Sequence, residues 1–158
     1  MIRLIAVVAA LLAPVPALAL SCVAYSHTQA FLDANASADT YVVVLGRLDF
    51  DSGNLPRTDG VTEAQGATFA ARATGDALSS AGFITPFRAT ITVHIDCAGV
   101  WCGGLEAGHR YLMFLRQTGG GYRLDQMLCQ ANAFYEPTPD MEADIVTCMQ
   151  GGPCAPSH

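Results

Sequence analysis

The stretch from Cys97 to Cys129 constrains this chain more than any other. Two cysteines with four residues between them precede a Gly-rich turn, and an apolar run from Tyr111 to Leu115 follows. Gly119 to Gly121 then reverse the chain, and a short run from Tyr122 leads to a third cysteine. Runs of this length bounded by glycine read as strands and turns, because three adjacent glycines permit backbone angles that side chains block. The stretch therefore reads as a cross-linked β-hairpin, to which the rest of the chain supplies further strands and cysteines.

The first 19 residues read as a secretory signal that is not part of the fold. Arg3 opens it, Leu4 to Ala13 form an apolar segment, and Ala17-Leu18-Ala19 offers a small-x-small cleavage site. A membrane anchor would need an apolar span of about 20 residues, which Pro14 and Pro16 interrupt. Residues 20–158 suit one domain. All six cysteines, Cys22, Cys97, Cys102, Cys129, Cys148 and Cys154, lie beyond the signal. An even count in an exported chain implies disulfides. A zinc site would need a paired C-x-x-C or a nearby His pair, and the sequence has neither. Six cysteines allow fifteen connectivities, so spacing alone does not select one.

Without Arg3, seven arginines face fourteen Asp and Glu, giving 7 − 14 = −7, and there is no lysine. Affinity for a polyanion comes largely from basic side chains that displace counterions. With no basic run, nucleic acid and anionic membrane are poor partners, and the acidic balance favours solubility.

Along the chain, Thr28 begins a helix-compatible run ending near Asn35, with Ala30, Phe31 and Ala34 on one face. Tyr41 to Phe50 is the strongest strand signal. Its unbroken apolar start suggests burial on both faces, and Gly46 suggests a bulge or sharp bend. Asp51 to Gly66 reads as a long loop, Phe69 to Leu78 as a weaker strand, and Ser79 to Pro86 as a connection. Phe87 to Asp96 alternates Phe87, Ala89, Ile91, Val93 and Ile95 against polar residues, as a half-exposed strand does. Strands are expected near Tyr111 to Gln117 and Tyr122 to Leu128. Thr138-Pro139-Asp140 then opens a helix that Gly151 ends. Met141, Ile145, Cys148 and Met149 share a face of that helix. Five strands with a late helix fit a mainly β fold, a small five-stranded barrel with a short N-terminal and a C-terminal helix.

Several short motifs in this order resemble the netrin-like, OB-type domain of the tissue inhibitors of metalloproteinases. Cys22-Val23, His27, Gln29 and Ala30-Phe31 are similar to the opening segment of that family. Val43 to Leu48 resembles its first barrel strand. Cys102-Gly103 with Leu105, Gly108 and Tyr111-Leu112 resembles its Cys-Gly and Gly-x-x-Tyr-Leu strand, and Cys129 with Phe134 and Pro137 resembles the closing segment. The resemblance implies that Cys22 bonds Cys129. The family's first cysteine is absent, with Leu20 in its place, so its usual partner Cys102 is expected to bond Cys97, leaving Cys148 with Cys154.

Members of that family inhibit zinc proteases by placing the amine and carbonyl of the first residue on the catalytic metal. Cleavage after Ala19 would make Leu20 that residue, with Ser21 next and Cys22 as the anchor. The missing cross-link at Leu20 removes part of the preorganisation that such a wedge needs. A cleavage before Cys22 is the other small-x-small option. A frayed terminus is the competing reading of Leu20, Ser21 and Cys22.

Function is thus expected in one of two classes. The first is a secreted or periplasmic, non-catalytic module that binds another exported protein, with a zinc protease as the partner class that the resemblance implies. The second is a structural component of the cell envelope. An acidic extracellular hydrolase is the runner-up, because no G-x-S-x-G or equivalent nucleophile motif is present. His27, His94, His109 and His158 have no partner at metal spacing and read as solvated or singly hydrogen-bonded. No cofactor is expected, since the glycines at 103, 104 and 119–121 precede no Lys-Ser or Lys-Thr that would complete a phosphate loop. Cys97 and Cys102 are too widely spaced for the usual redox pair. Trp101 is expected to pack against their bridge; exposed, it would be a binding anchor.

Overall fold

The computed structural model describes Cys22 and residues 25–156. The expected signal, Leu20, Ser21 and His158 lie outside the described residues. In chain order the elements are α1 (His27–Ala36), β1 (Tyr41–Asp49), a 3-10 turn (Ser52–Asn54), β2 (Ala67–Ser79) and β3 (Gly82–Ile95). Two-residue strands β4 (Cys97–Ala98) and β5 (Trp101–Cys102) follow, then β6 (His109–Thr118), β7 (Gly121–Gln126), β8 (Ala133–Tyr135) and α2 (Pro139–Met149). Among the described residues the fold is mainly β, with two α-helices.

Strand β1 pairs antiparallel with both β2 and β6. β2 pairs with β3, β3 runs parallel to β7, and β7 returns antiparallel to β6. The ladder β1-β2-β3-β7-β6 therefore closes on itself as a ring of five strands, and β8 adds to β6.

Closure explains why two strands are apolar on both faces. Val44 and Leu48 of β1, with Tyr111, Met113 and Leu115 of β6, point into the ring, where Ala71, Ile91, Val93, Ile95 and Leu124 join them. Val43, Leu45, Leu112 and Phe114 point outward, against Ala30 of α1 and Ile145 of α2. β1 and β6 are thus sandwiched between the ring interior and the helices, so a continuous apolar run suits them. β2 and β3 lack such cover over most of their length, and away from Leu78 and Phe83 their outer positions are mostly polar.

Gly46 causes no bulge, because the β1–β2 register runs unbroken from Val44↔Ala77 to Asp49↔Arg72. It lies opposite Gly75, and the two backbones approach so closely that a Cβ on Gly46 would sit 2.3 Å from the Thr74 carbonyl oxygen. The register shift falls instead at Ala77/Leu78 in the β2–β3 pair. The stretch Ser79 to Pro86 is a tight turn with most of its residues already in β3. β7 reaches only Thr92 to Ile95, so the Pro86 half of β3 borders no second partner, a setting that tolerates a residue without N–H. The hairpin of β6 and β7 is short: after three paired positions β7 departs to run along β3.

Both helices start on hydroxyl caps. Ser26, not Thr28, caps α1 by accepting from Gln29 N, and Thr138 Oγ1 accepts from Met141 N at the start of α2, with Pro139 at the first position. Ile145 and Cys148 face the core, whereas Met149 is 44% exposed. It borders a groove of about 340 Å³ with Phe31, Ala34 and Leu78.

Three disulfides join Cys22 to Cys129, Cys97 to Cys102 and Cys148 to Cys154, the pairing that the resemblance implies. Such cross-links suit an oxidising, non-cytoplasmic compartment. Among the described residues no helix is long and apolar enough to cross a membrane.

Candidate functional site

Of the expected wedge residues, only Cys22 is described. Its bond to Cys129 ties the chain ahead of α1 to the loop after β7. That loop is held from below. Asn132 Nδ2 donates to the Asp125 carbonyl at 2.8 Å, and Gln126 Nε2 donates to the Gly104 carbonyl at 3.3 Å. The backbone N–H of Asn132 donates to Gln126 Oε1. Gln126 is buried, and these bonds satisfy its amide.

Beside this anchored loop is a polar cleft of about 380 Å³, bordered by Tyr25, Tyr41, His94, Arg116, Asp125 and Met127 among others. Its charges come from strand register. Arg116 and Arg123 lie opposite each other on β6 and β7, and both hold Asp125, with Arg116 Nη2 at 3.0 Å from Asp125 Oδ2. Two guanidiniums side by side would repel, and the shared carboxylate offsets this. Asp39 lies 3.5 Å from Arg116 on the other side. The hydrogen bond to Asp125 pushes the Arg116 guanidinium further up, keeping it charged. Burial, then the bond to Asp33 at 2.8 Å, pushes the Tyr25 hydroxyl well above the usual phenol range, and burial also raises Tyr41. The Tyr25 hydroxyl is a hydrogen-bond donor here and not a base.

At the edge of the cleft His94 joins two partners. Thr68 Oγ1 is 2.8 Å from its Nδ1, and Asp96 Oδ1 is 3.0 Å from its Nε2. Thr68 faces His94 across the β2–β3 ladder, and Asp96 lies two residues along the chain from His94. Hydroxyl, imidazole and carboxylate in one chain is the arrangement that activates a nucleophile. The alternation of Phe87 to Asp96 already places His94 and Asp96 together; Thr68 enters only through register.

Of the other histidines, His27 is singly hydrogen-bonded, as expected, and His109 has more than one partner. His27 Nε2 lies 3.0 Å from Asp144 Oδ2 and links α1 to α2. His109 Nδ1 lies 3.1 Å from Glu136 Oε1 and 3.0 Å from the Tyr135 hydroxyl, and Glu106 is 3.5 Å from its Nε2. The bond from His109, then that from the Arg110 N–H, holds the Glu136 carboxyl below the usual carboxylate range. Among the described residues no group of three His, Cys, Asp or Glu is placed to hold a metal ion.

Trp101 is 60% exposed and does not pack on the bridge. Neighbouring residues of a strand point to opposite faces. Cys102 turns inward to bond Cys97 and touch the core, so Trp101, opposite Ala98, turns to solvent. Compared with known proteins, the chain matches no family model, no curated protein and no solved structure.

Proposed function

We propose that this chain is a secreted or periplasmic, non-catalytic protein-binding module on an OB-type barrel of the netrin-like kind. Its binding end is the surface around the Cys22–Cys129 bridge. The observation that carries the reading is the bridge itself, which fixes the chain two residues after Leu20 to the loop between β7 and β8. A zinc protease is the partner class, with Leu20 as the residue offered to its metal and Ser21 as spacer. Because Leu20 has no cross-link of its own, more ordering entropy is lost on binding than for a bridged terminus.

The test begins with mass spectrometry of the exported protein. A chain starting at Leu20 is titrated against a panel of zinc proteases, and stoichiometric inhibition is expected to vanish when one residue is added in front of Leu20. Inhibition unaffected by the extension, or a start elsewhere, removes the wedge and leaves a module that binds by other residues, or a scaffold component.

A second reading, an extracellular hydrolase, is favoured by the Thr68–His94–Asp96 chain at the cleft edge. Activated-ester hydrolysis that is lost in both Thr68→Ala and His94→Ala would establish it in place of the first.

A further inference from the structure

Four arginines that are scattered over the sequence meet on one outer face of the sheet. The register places Arg110 of β6 opposite Arg47 of β1, Arg47 opposite Thr74 of β2, and Thr74 opposite Arg88 of β3. In the neighbouring row Asp49 lies opposite Arg72, and Arg72 opposite Thr90. All four arginines are exposed. At a strand spacing of about 4.8 Å the first row spans roughly 14 Å. It begins where the helix cover ends, since Leu45 and Leu112, two positions along, lie beneath the helices. Arg47 and Arg110 border a cleft of about 590 Å³ there.

Three carboxylates share this face. Asp49 holds Arg47 at 2.8 Å and Glu142 holds Arg110 at 2.8 Å, while Asp76 stands at the rim. Arg72 and Arg88 have no ion pair or side-chain hydrogen bond among the described residues. Around these rows the four arginines meet Asp49, Asp76 and Glu142, with Glu136 held by the Arg110 N–H beyond them, so the positive character of the band rests on Arg72 and Arg88. Screening at physiological salt confines charge effects to about 8 Å, so the local sign governs contact here, not the net charge of the chain.

We propose that this face binds an acidic polysaccharide, whose sulfate, phosphate or carboxylate groups engage Arg72 and Arg88 while the Thr74 and Thr90 hydroxyls bond neighbouring oxygens. Guanidinium forks match such oxyanions in two-point geometry. The rows of the band carry no aromatic side chain; Phe83 in the adjoining cleft is a single ring, half-buried against the outer apolar cluster, and not the row of platforms on which single-stranded nucleic acid stacks. Nor do these rows present the exposed large apolar anchor around which protein interfaces are built. A hydrophilic, extended polyanion asks for neither. The proposal does not depend on the Cys22 end, so the two fail separately.

The test measures binding of the full exported chain to dextran sulfate and carboxymethyl dextran, with neutral dextran, poly-glutamate and oligo-dT as comparisons. Binding to at least one acidic dextran but not to neutral dextran is expected, weakening as salt rises. The relative strength of the two acidic dextrans separates sulfate from carboxylate recognition. The double variant Arg72→Ala/Arg88→Ala should bind at least about tenfold more weakly with an unchanged melting temperature. Arg57→Ala, which removes one positive charge from an exposed loop, should leave binding unaltered. The proposal is overturned by no binding to either acidic dextran, by an undiminished double variant, by an equal loss in Arg57→Ala, or by tighter binding of poly-glutamate or oligo-dT.

Discussion

Gly46 shows how one residue fixes the spacing of two strands. A Cβ there would sit 2.3 Å from a backbone oxygen of Thr74, and one on Gly75 would sit 2.2 Å from the Leu45 carbonyl oxygen. Backbone atoms paired in a ladder do not swing aside as a side chain would. Gly46→Ala is therefore expected to destabilise the fold by about 1–3 kcal/mol, whereas Gly104→Ala, with open space around it, should shift stability by no more than about 0.5 kcal/mol. Urea unfolding of the two variants checks the contrast.

Asp59 is a second residue with a local task. It accepts from the Val61 and Thr62 backbone N–H groups and from the Thr62 hydroxyl. The Thr62 bonds, then that of Val61, lower its carboxyl from 3.8 to about 2. A depressed folded value means that the stabilisation is present above the ordinary value and disappears as pH falls through the folded one. The loop order that Asp59 supplies should thus hold above pH 3.8 and fade towards pH 2. Carboxyl chemical shifts across that range measure it, and a midpoint at the ordinary value would refute the assignment.

At the scale of elements, the helices act as a lid on the outward faces of β1 and β6. Ile145 is fully buried against Leu112 and Phe114 and is the main apolar contact of α2. Truncating it leaves a cavity between two rigid layers, so Ile145→Ala should cost about 2–5 kcal/mol. Removing the Thr138 cap exposes a helix N–H and should cost only about 1 kcal/mol. Thermal melting of both variants tests the ranking; equal losses would mean that α2 is held by its own turns and not by the sheet. Sequence signals for this helix were strong because a hydroxyl cap, Pro139 and the acidic first turn act locally. Between β2 and β3 glycine and proline read locally as a connection, but pairing with β2 draws most of that stretch into β3.

For the whole molecule, the disulfides differ in what they restrain. The Cys22–Cys129 bridge spans 107 residues and Cys148–Cys154 spans 6. If a bridge acts by limiting the unfolded chain, the long loop should contribute about 4–5 kcal/mol and the short one about 2 kcal/mol. Replacing each pair by serine and comparing urea midpoints tests this. A long-range bridge no more stabilising than the short one would show that the closed ring already holds that end.

The sequence alone marked the cysteine partners through a resemblance, the face of β3 through its period of two, and the ends of α2 through its caps. It also showed β1 to be buried on both sides, because an unbroken apolar run has few other uses. It did not show what lies on those two sides. Val44 meets Met113 and Arg47 meets Arg110 across more than sixty residues of chain, and no local period encodes which strands become neighbours. Closure of the ring decided that. The same long-range register put Thr68 on His94, set Arg116 and Arg123 around Asp125, and gathered Arg47, Arg72, Arg88 and Arg110 from a sequence without a basic run. Which faces exist is a local property of alternation, whereas which charges share a face depends on pairings that only the tertiary structure makes.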